Sequence, residues 1–181
     1  MSSDDVTTIF AVLATLGAVV GILGAVAAVV PGVGSRLRDA LAGQGVPLAW
    51  LVALVATLGS LYLSEVAHFV PCRLCWYQRI AMYPLVVVLG IGWLRRDASA
   101  RLTAAVLAGL GLAVNLWHLA IELKPSLEGR GCDPLNPCSL RWVEVWGFWT
   151  IPRMATVAFT LVLLALALDR GPAPSQEAST P

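Results

Sequence analysis

Charge is scarce in this chain of 181 residues: Asp, Glu, Lys and Arg make up 13% of it, about half the ~25% of soluble domains. Where charge is missing says more than how much is missing. None of the 12 basic or 11 acidic side chains falls within residues 6–30, 46–64, 80–94, 102–121 or 154–168. A soluble globular domain is thereby excluded. A transmembrane β-barrel is excluded as well, because these runs are apolar on every side and do not alternate. The net charge of +1 gathers into neither a basic patch nor an acidic tail, so nothing points to nucleic acid or to a basic partner. Cysteine is limited to four residues.

Hydrophobic length is what the chain does have, with 58% apolar residues against ~45–50% in soluble proteins. A helix of ~20 apolar residues, rising 1.5 Å each, crosses ~30 Å of hydrocarbon. Three of the five runs reach or nearly reach that length. The two of 15 residues draw on their flanks, Trp76–Gln78 with Arg79 in one case and Trp149–Pro152 with Arg153 in the other, where arginine can snorkel to the interface. The sequence predicts one polytopic all-α membrane domain of five helices. Ala25-Val26-Ala27 resembles a signal-peptidase site, but Asp4 and Asp5 replace the usual basic start and the run is too long, so a retained helix is expected. Gly17 and Gly21 form a GxxxG pattern that would let a neighbouring helix approach closely.

The expected order is a first helix, a glycine-rich linker over 31–46, a second helix from Pro47 to Val70, and a third from Cys72 to Leu94. A basic turn (Arg95, Arg96, Arg101) leads to a fourth helix over 102–122. A connection over 123–150 precedes a fifth helix at 151–168, and residues 169–181 are expected to be disordered. Trp142, Trp146, Phe148 and Trp149 suggest a short amphipathic element on the membrane surface, with Arg141 and Glu144 toward water. Alternation leaves six Lys/Arg on each side, so the positive-inside rule gives no orientation.

The cysteines give one. Cys72 and Cys75 form C-x-x-C, Cys132 and Cys138 form C-x5-C, and alternation places both pairs at the same side of the membrane. Disulfides persist on the oxidising face, so that side is expected to be extracytoplasmic and the N-terminus outside. Two structural disulfides, a tetrathiolate zinc site and a relay of two exchanging pairs all use these four residues. A second pair spaced by five is unusual for zinc, and a helical bundle has little need of structural disulfides, so the relay is favoured. C-x-x-C follows Pro71 and opens a helix, where free N–H groups and the helix dipole favour a thiolate. Arg79 lies four residues after Cys75, one turn deeper on the same helix face. Gln78 faces similarly, and His118 lies within a span at about the depth of Cys75, which makes it a functional candidate. His68, beside Glu65, is expected to be merely interfacial.

The run Pro71-Cys72-Arg73-Leu74-Cys75-Trp76-Tyr77-Gln78-Arg79-Ile80-Ala81-Met82-Tyr83-Pro84-Leu85 closely resembles the signature of the DsbB disulfide bond formation family, in particular its BdbC-like branch. Trp117-His118-Leu119-Ala120-Ile121-Glu122, then Pro125, the second cysteine pair and Trp146-Gly147-Phe148-Trp149-Thr150-Ile151-Pro152 resemble it too. The resemblance implies a four-helix transmembrane bundle over 47–168, with residues 1–46 adding an extra N-terminal transmembrane helix and its linker. It implies a plasma-membrane thiol oxidoreductase that reoxidises an extracytoplasmic thioredoxin-fold (DsbA-like) oxidase and passes the electrons to a quinone, menaquinone or ubiquinone. By position, Cys132 would form the mixed disulfide with the partner, Cys138 would exchange with Cys72, and Cys75 would face the quinone. Arg79 and His118 would stand beside that quinone, and Gln78 could hydrogen-bond a quinone carbonyl. A vitamin K epoxide reductase-like enzyme, whose loop pair precedes C-x-x-C, is the nearest alternative. A non-catalytic zinc-binding scaffold is the alternative from another class.

Overall fold

The computed structural model describes residues 3–169, and the expected disorder of residues 170–181 lies outside them. Six α-helices follow in order: α1 (Ser3–Val29), α2 (Val33–Ala40), α3 (Gly45–Leu61), α4 (Arg73–Arg95), α5 (Ser99–Leu123) and α6 (Ile151–Leu168). No strand forms among the described residues. Five of the helices, all but α2, are long and apolar enough to cross a membrane, so the chain is an all-α membrane protein with a four-helix bundle and one added N-terminal helix.

Small residues and large ones interlock where the four helices α3–α6 meet. Ala49, Ala53, Leu85, Leu89, Ala104, Ala108, Phe159 and Val162 form one core. At its middle, Gly111 of α5 lies under the Phe159 ring of α6 and beside Ala81 of α4. A side chain there would displace the ring, so glycine sets how closely three helices approach. Buried Asn115 ties α5 to α6 by donating to the Pro152 carbonyl (3.1 Å) and to Thr156 Oγ1 (2.6 Å). The α1 helix rests chiefly on α6. A Cβ at Gly17 would sit 2.9 Å from Leu161 and one at Gly21 3.1 Å from it, so the GxxxG face does serve as a helix contact.

Four sequence expectations need correction. The 31–46 linker contains α2, because Val33–Ala40 holds just one helix-weakening glycine; Arg38 donates to the Ala28 carbonyl (3.3 Å) and so caps the end of α1. The second span stops short of Val70. It widens into a π turn over Tyr62–Val66 and ends at His68, whose left-handed φ of 57° cannot continue a right-handed helix. Asp169 does not belong to a disordered tail: it is buried, and its Oδ1 accepts from the Gly43 N–H (2.8 Å). The amphipathic element expected at 142–149 is a tight turn that exposes Trp142, Trp146 and Phe148 but buries Trp149. Val145 and Trp149 bridge across a tight turn through Trp146 (φ 54°) and Gly147 (φ 66°), and Trp149 is buried with Ala11 and Ala14 of α1.

Candidate active site

All four cysteines meet in one apolar cluster at one end of the bundle, together with Leu74 and Ile121. Cys72 is the N-cap of α4, and its sulfur accepts from the Cys75 N–H at 3.3 Å. Such a cap satisfies one of the helix's free donors. Cys72 and Cys75 are free thiols with sulfurs 2.9 Å apart. The Cys75 S–H donates to Cys72, and His118 adds a hydrogen bond; together they pull the Cys72 pKa from 9.0 down to about 4, against its burial. The pair is polarised: Cys72 holds the charge and Cys75 the proton. Cys132 and Cys138 are joined in a disulfide. Cys138 is buried, 2% exposed, whereas Cys132 is half-buried, so the loop pair presents one sulfur outward and one inward.

His118 couples the two pairs. Gln78 Nε2 donates to its Nδ1 (2.9 Å), which leaves the ring proton on Nε2. From there the ring donates to the Cys138 carbonyl (2.9 Å) and lies 3.9 Å from Cys72 Sγ. The same histidine thus holds the backbone of the inner loop cysteine and flanks the helix-cap sulfur.

Cys75 faces the other way, onto a cavity of about 410 Å³, within the size range of small-molecule sites. Gln78, Arg79, Met82 and Tyr83 of α4, Ser60 of α3 and Trp142 line it with Cys75; His118 and Cys72 do not. They line a separate space of about 20 Å³ with Glu122 and Arg141, and Cys75 borders both spaces. Arg79 is anchored by Ser60, donating from Nε to Oγ and from Nη2 to the carbonyl, both at 3.0 Å, while Tyr83 donates to the same Oγ at 3.1 Å. Two of its five N–H donors are so engaged, and its guanidinium lies over the Trp76 ring, 5.2 Å from the centroid.

Three positioning residues escaped the sequence reading. Ser60 holds Arg79; the available sign was a hydroxyl in an otherwise apolar run. Glu128 accepts from the Cys138 and Ser139 N–H groups and from Ser139 Oγ (2.7 Å), pinning the disulfide loop. Glu122, buried in α5, accepts from Thr150 Oγ1 (2.7 Å) and pairs with Arg141 and Arg153, each at 3.5 Å. It fastens the long connection and the start of α6 to the end of α5. A tetrathiolate zinc site does not describe this arrangement, since two of the four sulfurs are bonded to each other.

A helical membrane bundle that sets a polarised dithiol beside a loop disulfide defines a thiol–disulfide oxidoreductase of the membrane. Comparison with known proteins makes this specific. The sequence model of the family described as "Disulfide bond formation protein DsbB" matches residues 44–168. Disulfide bond formation protein C of Bacillus subtilis is 41% identical over 124 residues, 68% of this chain and 90% of that protein. A probable disulfide formation protein C of Halalkalibacterium halodurans is 42% identical over 122 residues, 66% of this chain and 88% of its own length. One from Bacillus anthracis, probable disulfide formation protein C 2, is 36% identical over 125 residues, covering 69% and 89%. The chain belongs to the DsbB family of disulfide bond formation proteins. No solved structure matches it. The matched region begins at residue 44, so α1 and α2 lie outside it.

Proposed function

We propose that this protein reoxidises an extracytoplasmic thioredoxin-fold thiol oxidase and delivers the electrons to a membrane quinone. The observation that carries the reading is the two-sidedness of the C-x-x-C pair. Cys72 lies in the cluster with Cys138, while Cys75 opens onto an apolar cavity with a cationic corner. That corner fits a quinone: Arg79 retains free donors and Gln78 a second amide hydrogen for carbonyl oxygens, and the remaining lining suits a ring and an isoprenoid tail. Bound there, a quinone would accept two electrons and two protons.

The chain's own steps balance as thiol–disulfide exchanges. A partner dithiol reduces Cys132–Cys138, the more accessible Cys132 being the sulfur attacked. The freed Cys138 thiolate attacks Cys72 of an oxidised Cys72–Cys75 pair and releases Cys75. Cys132 then displaces Cys72, closing Cys132–Cys138 again and leaving Cys72 and Cys75 as a dithiol. The structure holds that arrangement. Closure of the Cys72 thiolate on Cys75 then releases two electrons and the one proton of Cys75 toward the cavity; the second proton, already lost when Cys72 ionised, is drawn from water, and Arg79 offsets negative charge that develops there.

Reduced thioredoxin-fold partner and a decyl-tailed quinone, given to the purified protein, are expected to yield oxidised partner and reduced quinone in equal amounts. Cys75→Ser should abolish quinone reduction. A Cys75→Ser variant as active as the wild type would overturn the proposal.

A further inference from the structure

Helices α3 and α6 are closed on each other at one end and parted at the other. Near Gly45 the backbone of α6 comes so close that a Cβ would meet the Ala165 carbonyl and Asp169. Ala49, Ala53, Val162 and Leu166 continue that seam. Toward the cysteine end the two helices line the cavity instead, through Val55, Ala56 and Gly59 on α3 and Met154, Ala158 and Leu161 on α6. The first half of α1 lies over the gap, and Phe10, Leu13, Ala14 and Gly17 complete the lining. The helix follows α6 along Gly17, Gly21 and Gly24, whose missing side chains admit Leu161 and Leu164. It reaches α3 through Phe10, whose ring rests on Gly59, 2.9 Å from where a Cβ would stand. Gly59 immediately precedes Ser60, the residue that anchors Arg79.

We propose that α1, which lies outside the family-matched region, is the outer wall of the acceptor cavity, and that Phe10 and Leu13 are specificity-determining contacts for the acceptor's hydrocarbon tail. The inference rests on the quinone reading of this cavity. Three walls of the site come from the bundle, and they would leave its apolar lining open to lipid between α3 and α6. The fourth wall is apolar where it lines the cavity, at Phe10, Leu13, Ala14 and Gly17, and carries no Asp, Glu, Lys or Arg from Val6 to Val30. Polar donors are gathered at the opposite, α4 side, at Arg79, Gln78 and Tyr83. A ligand with a polar ring and an apolar tail is therefore oriented, ring toward Cys75 and tail toward α1, and the volume beside Phe10 limits how bulky the first tail units can be. Lost contact area and overfilled space both weaken binding.

The test uses the full chain in detergent with two probes: a decyl-tailed benzoquinone, and the same quinone carrying a diazirine on its tail. Photolysis is expected to attach the second probe to the peptide spanning residues 3–29. Leu13→Trp, which fills the cavity, is expected to weaken binding of the first probe by at least about tenfold. Leu16→Trp, on the same helix but away from the lining, should bind as the wild type does. Phe10→Ala removes atoms rather than adding them, and should shift the preference between decyl and branched farnesyl tails. Ala56→Trp, on the α3 wall, tests the cavity itself. Absence of label from residues 3–29, or wild-type binding by both Leu13→Trp and Phe10→Ala while Ala56→Trp blocks it, would overturn the role of α1 and leave the quinone reading standing. Equal weakening by Leu16→Trp would also overturn it, by showing a loss of helix packing. Unchanged binding in Ala56→Trp as well would remove both readings.

Discussion

Cys72 has a thiolate held from three directions: the helix N–H of Cys75, the Cys75 thiol and His118. In the reduced protein its absorbance at 240 nm should titrate near pH 4 rather than near 9. His118→Ala should move that midpoint upward by roughly one pH unit, because it removes one of the three. An unchanged midpoint would mean that His118 merely fills space. The sign for stability follows from the depressed pKa. Since folding favours the ionised form of Cys72, the reduced protein should gain stability relative to its unfolded chain as the pH rises from about 4 toward 9, and lose that part as the pH falls. Ser60 is the other residue whose effect is indirect. Ser60→Ala removes the hydroxyl that accepts from Arg79 and Tyr83 and should raise KM for the quinone while leaving exchange with the partner dithiol intact. Loss of both would place Ser60 in folding rather than in orienting Arg79.

At the scale of elements, Glu122 is the junction to test. Its carboxylate is buried and faces Thr150, Arg141 and Arg153, so Glu122→Ala should destabilise the protein by ~1–2 kcal/mol, mainly through the lost hydrogen bond of buried Thr150, since both arginines keep access to solvent. Thermal unfolding in detergent reads this directly. Gly111→Leu should cost ~1–3 kcal/mol by forcing Phe159 out of its place between α4 and α5. The helices themselves were legible in the sequence, because an uncharged run of 15 to 25 residues has few alternatives to spanning a bilayer. Helix α6 starts at Ile151 and stops at Leu168 as expected, its proline in the first turn marking the start. Between the runs the sequence said less. The tryptophans at 142, 146 and 149 suggested an element lying wholly on the surface, but a left-handed Trp146 beside Gly147 folds the chain back, and Trp149 turns inward onto Ala11 and Ala14 of α1. In the site, the cysteine pairs and Arg79 were visible through spacing. The turn of His118 toward Cys138 and away from the cavity was not, because one-turn periodicity fixes a helix face only after its neighbours are placed.

On the scale of the whole molecule, the five spans fit a multi-pass membrane protein, and the meeting of both cysteine pairs at one end means that a single orientation decides the chemistry. With an equal count of basic residues on the two sides, labelling must supply it. In intact cells, a cysteine introduced at Asn136 of a variant lacking the native four should react with a membrane-impermeant maleimide, and one at Ser35 should not. The opposite pattern would put the dithiol in the reducing compartment and remove the proposed partner.

The two faces of the C-x-x-C pair carry one more consequence. The loop sulfurs pack against it at Cys72, and the cavity opens at Cys75, so on the proposed reading client and oxidant would approach it from different sides. A reductant arriving at the loop meets the half-buried Cys132 first, with Cys138 buried behind it. On the proposed reading, every electron pair would enter through the loop disulfide and leave through the cavity, passing the Cys72–Cys75 pair in between.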